Sequence, residues 1–276
     1  MYFWIMEKKN FPITESIPLK ENKEKELVEF IKAISEQLRN EGIPVKDDGR
    51  IDMDAFEGEL SSKNDIEADK KVVEEYEKEW HKDLSQEEIE KSKTKRDGPK
   101  LEMFKTALFN KFLNKDFIVA RSSEFDDIKR GIDNVILERS TGNLVCALDE
   151  VADESGDRFL NKKDSVLEKN KEYNGNKLRY ALSVRNGKVV KIKEVQSPVF
   201  YLALSKKTLD EGIQGFIPSL EEKSEKEIDI FNHFISSIYN QYTTLKLRGD
   251  LQPVFKKKLE YLRDTIGKLA EKMQIN

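Results

Sequence analysis

The chain's 276 residues, 37% charged and 37% hydrophobic with a formal net charge of -4, can bury a substantial core beneath heavily charged, helix-rich surfaces. The charge is uneven, with 19 Lys/Arg against 26 Asp/Glu in residues 1–100 and 30 against 27 beyond, so a polyanionic partner would meet the later two-thirds. One cysteine, Cys146, excludes an intramolecular disulfide and reads as a small buried hydrophobe in a reduced, cytoplasmic setting.

The opening MYFWIM is too short for a membrane span or a signal-peptide apolar region, so neither export nor a membrane anchor is expected. Leu27, Phe30, Ile31, Ile34 and Leu38 keep helical spacing, and Gly42 followed by Pro44 stops that helix. DGRIDMD, residues 48–54, has the outline of half a calcium-binding EF-hand loop. Pro44, Lys46 and Ala55 fall where ligands belong, so it reads as a capped acidic turn. Residues 63–96 form a long charged helix with Ile66, Val73, Tyr76, Trp80 and Leu84 as its thin apolar stripe, and Ser85 with Glu88 offers a second start inside it. KSKTKRDGPK reads as a polar linker.

Leu101, Phe104, Leu108, Phe109 and Phe112 then mark one face of a helix, after which the period changes. FIVA, IDNVIL and LVCALDEV are short apolar runs rich in β-branched residues, the last two parted by the turn Thr141-Gly142-Asn143. A charged helix, Asp157 to Lys169, ends at Asn174-Gly175-Asn176. Asn186-Gly187 between two alternating runs predicts a hairpin, and PVFYLALS one more buried strand. A capping box at Ser219 and Glu222 is expected to open an antiparallel helical hairpin joined by RGDLQP. Its stripes are Ile228, Phe231, Ile235, Ile238, Tyr242 and Leu245, then Phe255, Leu259, Leu262, Ile266, Leu269 and Met273. The expected division is an acidic helical segment over 1–97, an α/β core with a mixed sheet over 98–218, and the hairpin over 219–276 packing on the core.

His81 and His233 stand apart with no second histidine or cysteine nearby, which argues against zinc, and no glycine-rich phosphate loop is present. The central segment is different. Asp133 lies at a strand mouth behind Gly131, and a carboxylate buried there costs several kcal/mol unless paired. Strand alternation puts Asp149 and Glu150 on opposite faces, and either can stand beside Asp133 on the adjoining strand. A divalent cation is one partner for Asp133 and Asp149; strand capping or pairing with Arg121, Lys129 or Arg130 is the alternative. Glu124, Asp126 and Asp127 read first as a solvated ion-pair cluster, or as a helix start with Ser123 as its cap. Lys256, Lys257 and Lys258 read as the wet side of the hairpin before they read as a phosphate-binding patch.

The order helix, strand, strand with Asp, turn, strand with an acidic pair, helix, strand over roughly residues 100 to 205 resembles the PD-(D/E)XK nuclease superfamily, with its restriction-endonuclease-like core. The resemblance implies magnesium or manganese on Asp133 and Asp149, with Glu150 as the alternative acidic residue and Glu102, Glu124 and Asp127 as further ligands. It implies phosphodiester hydrolysis of a nucleic acid. The motif's lysine falls on Val151, so Lys162 or Lys163 on the following helix would supply the cation that orients the attacking water. The segment is also similar to a group of uncharacterised bacterial proteins carrying DDIKxGxDNV and VCAxDEV, which brings no activity. The other reading is a catalytically inactive scaffold whose helical segments dock a protein partner or a second copy.

Overall fold

The computed structural model describes residues 19–80, 82, 85, 97–248 and 251–274. The elements before the central sheet are α1 (Leu19–Asn40), a 3-10 turn at Met53–Phe56, α2 (Lys63–Trp80) and α3 (Asp97–Leu113). The central part runs β1 (Phe117–Arg121), α4 (Glu124–Arg130), β2 (Asn134–Glu138), β3 (Leu144–Val151), α5 (Gly156–Glu172), β4 (Asn176–Arg185), β5 (Lys188–Ser197) and β6 (Val199–Ala203). Three helices close the chain: α6 (Lys206–Gln214), α7 (Glu225–Lys246) and α8 (Pro253–Gln274).

The main sheet has the order β1-β2-β3-β6; β1, β2 and β3 form an antiparallel meander, and β6 lies parallel to β3. Every residue of β1 is buried, as expected for an apolar run covered on both faces. Helix α3 packs on β1 and β3, α5 and α7 on β6, and α8 on β3. Strands β4 and β5 form a separate hairpin whose turn places Asn186 at φ 53° and Gly187 at φ 72°. Two positive φ values give the primed turn that matches strand twist, as Asn-Gly predicts. One hydrophobic cluster runs from Leu27 on α1 to Leu262 on α8.

The free edge of β6 is closed by side chains. Asn170 of α5 donates to Val199 O at 2.6 Å and accepts from Val199 N at 3.0 Å. Gln241 of α7 treats Tyr201 in the same way, at 2.8 and 3.0 Å, and His233 Nε2 lies 3.2 Å from Ala203 O.

Three expectations change. The capping box that opens α7 is Ser224 with Glu227: Ser224 Oγ accepts from Glu227 N at 3.2 Å, and Glu227 accepts from Ser224 N at 2.7 Å. Ser219 Oγ only accepts from Glu221 N and Glu222 N, a local turn with the same spacing. Glu227 is fully buried against Lys111 of α3, so tertiary pairing decides between the two boxes. The tail of the expected linker, from Asp97, is the first turn of α3, and α6, capped by Ser205 accepting from Thr208 N, fills a stretch with no predicted element. Ser85 aside, the expected second start, Leu84 and most of the linker lie outside the described residues, as do the side chains of Trp80, Ile266, Leu269 and Met273.

Candidate functional site

A cleft of about 950 Å³ opens where α3, α4, the β2 and β3 ends and α5 meet. Helix α4 is set by Ser123, whose Oγ accepts from Asp126 N, and by Gly131 at φ 60°, a left-handed C-cap. That cap turns the chain so that Asp133 continues the β2–β3 ladder: its N donates to Leu148 O at 2.8 Å and its O accepts from Ser122 N at 2.9 Å. The Asp133 carboxylate accepts from Glu150 N at 2.6 Å.

Around it, Glu102, Asp127 and Asp133 each place a carboxylate oxygen within 4.8 Å of the others. Asp149 and Glu150 flank this cluster on the next strand and diverge, as strand alternation requires. Asp149 turns to α5, meeting Lys162 Nζ at 2.5 Å and Lys169 Nζ at 3.7 Å. Glu150 turns to α3 and pairs with the buried ammonium of Lys105. Asp149 and Glu150, the alternatives left open by the sequence, both line the cleft, Asp149 against Lys162 and Lys169 and Glu150 against Lys105. Asp133, Asp149, Glu150, Lys162, Glu102, Glu124 and Asp127 all line the cleft. Lys163 does not; it lines a groove between α5 and α7 with Tyr201 and His233. Glu124 stands at the rim, paired with Lys46 at 3.2 Å.

The charges are strongly coupled. Burial, then the Asp133 charge, push Asp149 and Asp127 each up to about 7, against the pull of Lys162 and Lys169 on the first and of Arg50 on the second. Burial and the Asp133 charge hold Glu150 well above the usual carboxylate range. For Asp133 burial acts upward, but hydrogen bonds from Glu150 and the Lys105 and Lys162 charges prevail and hold it below the usual range. A proton shared between the two neighbours would therefore sit on Glu150 before Asp133.

The suggested pairing of Asp133 or Asp149 with Arg121, Lys129 or Arg130 is corrected. Arg121 clamps Glu102 at 2.9 and 2.7 Å and reaches Asp48, while Lys129 bonds the Tyr76 hydroxyl. The solvated-cluster reading of residues 124–127 also fails at Asp126, which is fully buried. It accepts from Arg179 N, Tyr180 N and Ser123 Oγ at 2.7 to 3.0 Å, joining α4 to β4, and burial raises its pKa. The helix-start alternative holds. Three site residues escaped sequence reasoning, Arg50, Lys105 and Lys169. Lys105 left a trace: it sits four residues from both Leu101 and Phe109, a charge on a buried stripe that demands a buried partner. Arg50 left none.

No family model, curated protein or solved structure matches the chain.

Proposed function

We propose that the chain is a metal-dependent nuclease-like protein that hydrolyses phosphodiester bonds on a core of the PD-(D/E)XK kind. The observation that carries this reading is the convergence of Glu102, Asp127 and Asp133 within 4.8 Å, beside Asp149, Glu150 and Lys162 in one cleft. The element order supports it, because α3, β1, β2, β3, α5 and β6 follow the succession on which the resemblance rests, with α4 and the β4–β5 hairpin as additions.

The donor set fits a hard cation such as magnesium or manganese. Oxygens at most 4.8 Å apart need little movement to share an ion at ~2.1 Å from each. Glu102, Asp127 and Asp133 would hold it, with Asp149 at its side; bound there, it would lower the pKa of a water and offset charge on the phosphoryl oxygens. In hydrolysis the water oxygen bonds to phosphorus, one P–O ester bond breaks and the departing oxygen takes a proton. Lys162, held by Asp149, would supply the cation that Val151 cannot provide at the motif-lysine position and would orient the water. Asp133 is kept ionised and fixed by the Glu150 N–H.

Manganese titration together with cleavage assays on DNA and RNA tests this. Binding and cleavage should vanish in folded Asp133→Asn and Asp149→Asn; unchanged activity in either variant refutes it.

Two observations favour a second reading, a catalytically silent scaffold whose helical segments dock a protein partner or a second copy. Val151 at the lysine position is 1% exposed and committed to the core. Arg50 already pairs with Glu102 and Asp127. Light scattering that finds a strict monomer, with no partner recovered by pull-down, counts against it.

A further inference from the structure

The acidic cleft contains a cation of the chain's own. One guanidinium nitrogen of Arg50 donates to both oxygens of Glu102, at 2.9 and 3.2 Å, and the other lies 2.7 Å from Asp127. Two of the three clustered carboxylates are therefore bridged by one guanidinium, whose side chain is 12% exposed and so sits inside the cluster. These are oxygens that a divalent ion would need. A second observation points to added positive charge: Glu150 Oε1 is buried without a hydrogen-bond partner, and Glu150 lines the same cleft. With Lys105 on its other oxygen, Glu150 keeps one buried acceptor that a proton or a further cation would satisfy.

The two arginines on Glu102 are held differently. Arg121 belongs to β1, is 5% exposed and grips Glu102 through both oxygens. Arg50 instead arrives on a small turn closed by Lys46 N to Arg50 O at 2.7 Å and Gly49 N to Lys46 O at 3.0 Å. That turn is laid against the end of β1 by two hydrogen bonds, Arg121 N to Gly49 O and Ile51 N to Arg121 O, both 3.0 Å. Its other ties to the core side are Asp48, whose O and Oδ2 accept from Arg121 Nη1 at 3.2 and 3.1 Å, and the half-exposed Lys46–Glu124 ion pair at 3.2 Å, of small worth. Each Glu102 oxygen accepts from Arg121 with one lone pair and offers the other to Arg50. Removing Arg50 thus frees acceptor capacity without dismantling the Arg121 clamp.

We infer that Arg50 is a resident counter-ion of this centre: a divalent cation enters the Glu102, Asp127 and Asp133 cluster only as Arg50 leaves it. The inference rests on the metal reading above and adds its regulation. Metal occupancy and the docking of residues 46–51 on β1 become one linked equilibrium, and a plug closed ~99% of the time weakens apparent metal affinity about 100-fold. Whatever pulls the turn away, a phosphate that pairs with Arg50 included, then promotes metal binding by the same factor.

Titration of manganese chloride into the full-length wild type and Arg50→Gln, with hydrogen exchange of residues 45–52 in the wild type, tests this. Arg50→Gln should bind manganese at least about tenfold more tightly, and saturating manganese should speed exchange of the Ile51 amide in the wild type. If the wild type binds manganese, Arg50→Gln binds no tighter and exchange is unmoved, the plug is refuted while the metal centre stands. If neither protein binds millimolar manganese, the metal centre falls and the plug with it. Should Arg50→Gln fail to fold, exchange in the wild type decides alone: acceleration supports the plug and constancy overturns it.

Discussion

Replacing Lys105 with methionine keeps most of the buried stem and removes the charge that faces Glu150. Both partners are buried, Lys105 completely and the Glu150 side chain to 5% exposure. Breaking a buried pair by removing one member costs about 3–5 kcal/mol, a large share of the ~5–15 kcal/mol that holds a domain folded. At roughly 2–4 °C per kcal/mol the melting temperature should fall by about 6–20 °C. Proton uptake moderates that cost, because burial and the Asp133 charge already hold the Glu150 pKa well above its usual range. A carboxyl with a raised folded pKa gives stability that is complete at low pH and is lost as pH rises through that pKa. Losing Lys105 raises it further, so the variant's deficit should be larger at about pH 8 than at about pH 5.5. Urea unfolding followed by circular dichroism at both pH values measures it. A deficit under ~1 kcal/mol at the higher pH, or one equal at the two, would refute the buried-pair reasoning.

Three further outcomes follow from the geometry. Asp127 and Asp149 are both raised to about 7, so the metal-free protein should lose stability as pH climbs from about 4 to 8. Manganese, which favours the ionised forms, should raise the melting temperature more at the upper end, and a pH-independent increment contradicts this. Ser224→Ala should cost about 1 kcal/mol and Ser219→Ala a few tenths, since only the first removes a capping box; chemical denaturation giving the reverse order would reassign the start of α7. Gly142 and Gly187 both have positive φ, but a Cβ on Gly142 would stand 2.2 Å from Val184 backbone atoms, whereas Gly187 faces open space. Gly187→Ala should therefore cost only ~1 kcal/mol of backbone strain and Gly142→Ala several times that, as thermal melts of the two variants would show.

The sequence announced the elements whose periodicity extends over several turns or strands. α1, α3, α5, α7 and the β4–β5 hairpin stand where apolar spacing and Asn186-Gly187 place them. α4 spans only Glu124–Arg130, too short for a repeat, and its legible trace was its caps, Ser123 and Gly131. The rival boxes at Ser219 and Ser224 have equal spacing, and what separates them is Lys111, more than a hundred residues away in sequence. The same limit divides the site. Asp133, Asp149 and Glu150 are neighbours through one strand pairing, which alternation anticipates, and Glu102 and Lys162 lie on the helices either side. Arg50 reaches Glu102 across 52 positions through a loop docking on β1, and local pattern carries no information about such a contact.

The closed edge of β6 bears on how this chain can associate. A bare outer strand offers its backbone to any extended segment of a neighbour. Here Asn170, Gln241 and His233 occupy the outward-facing groups of Val199, Tyr201 and Ala203, acting together as a surrogate fifth strand assembled from two helices. At the opposite margin, Gly49 and Ile51 claim the amide and carbonyl of Arg121. The sheet's width is thereby set by three side chains and a turn, and a partner arriving by strand addition at β6 would first have to evict amides already bound on both sides. Association would be directed instead to helical faces, and a chain altered at positions 170 and 241 would recover a sticky margin that the native one has given up.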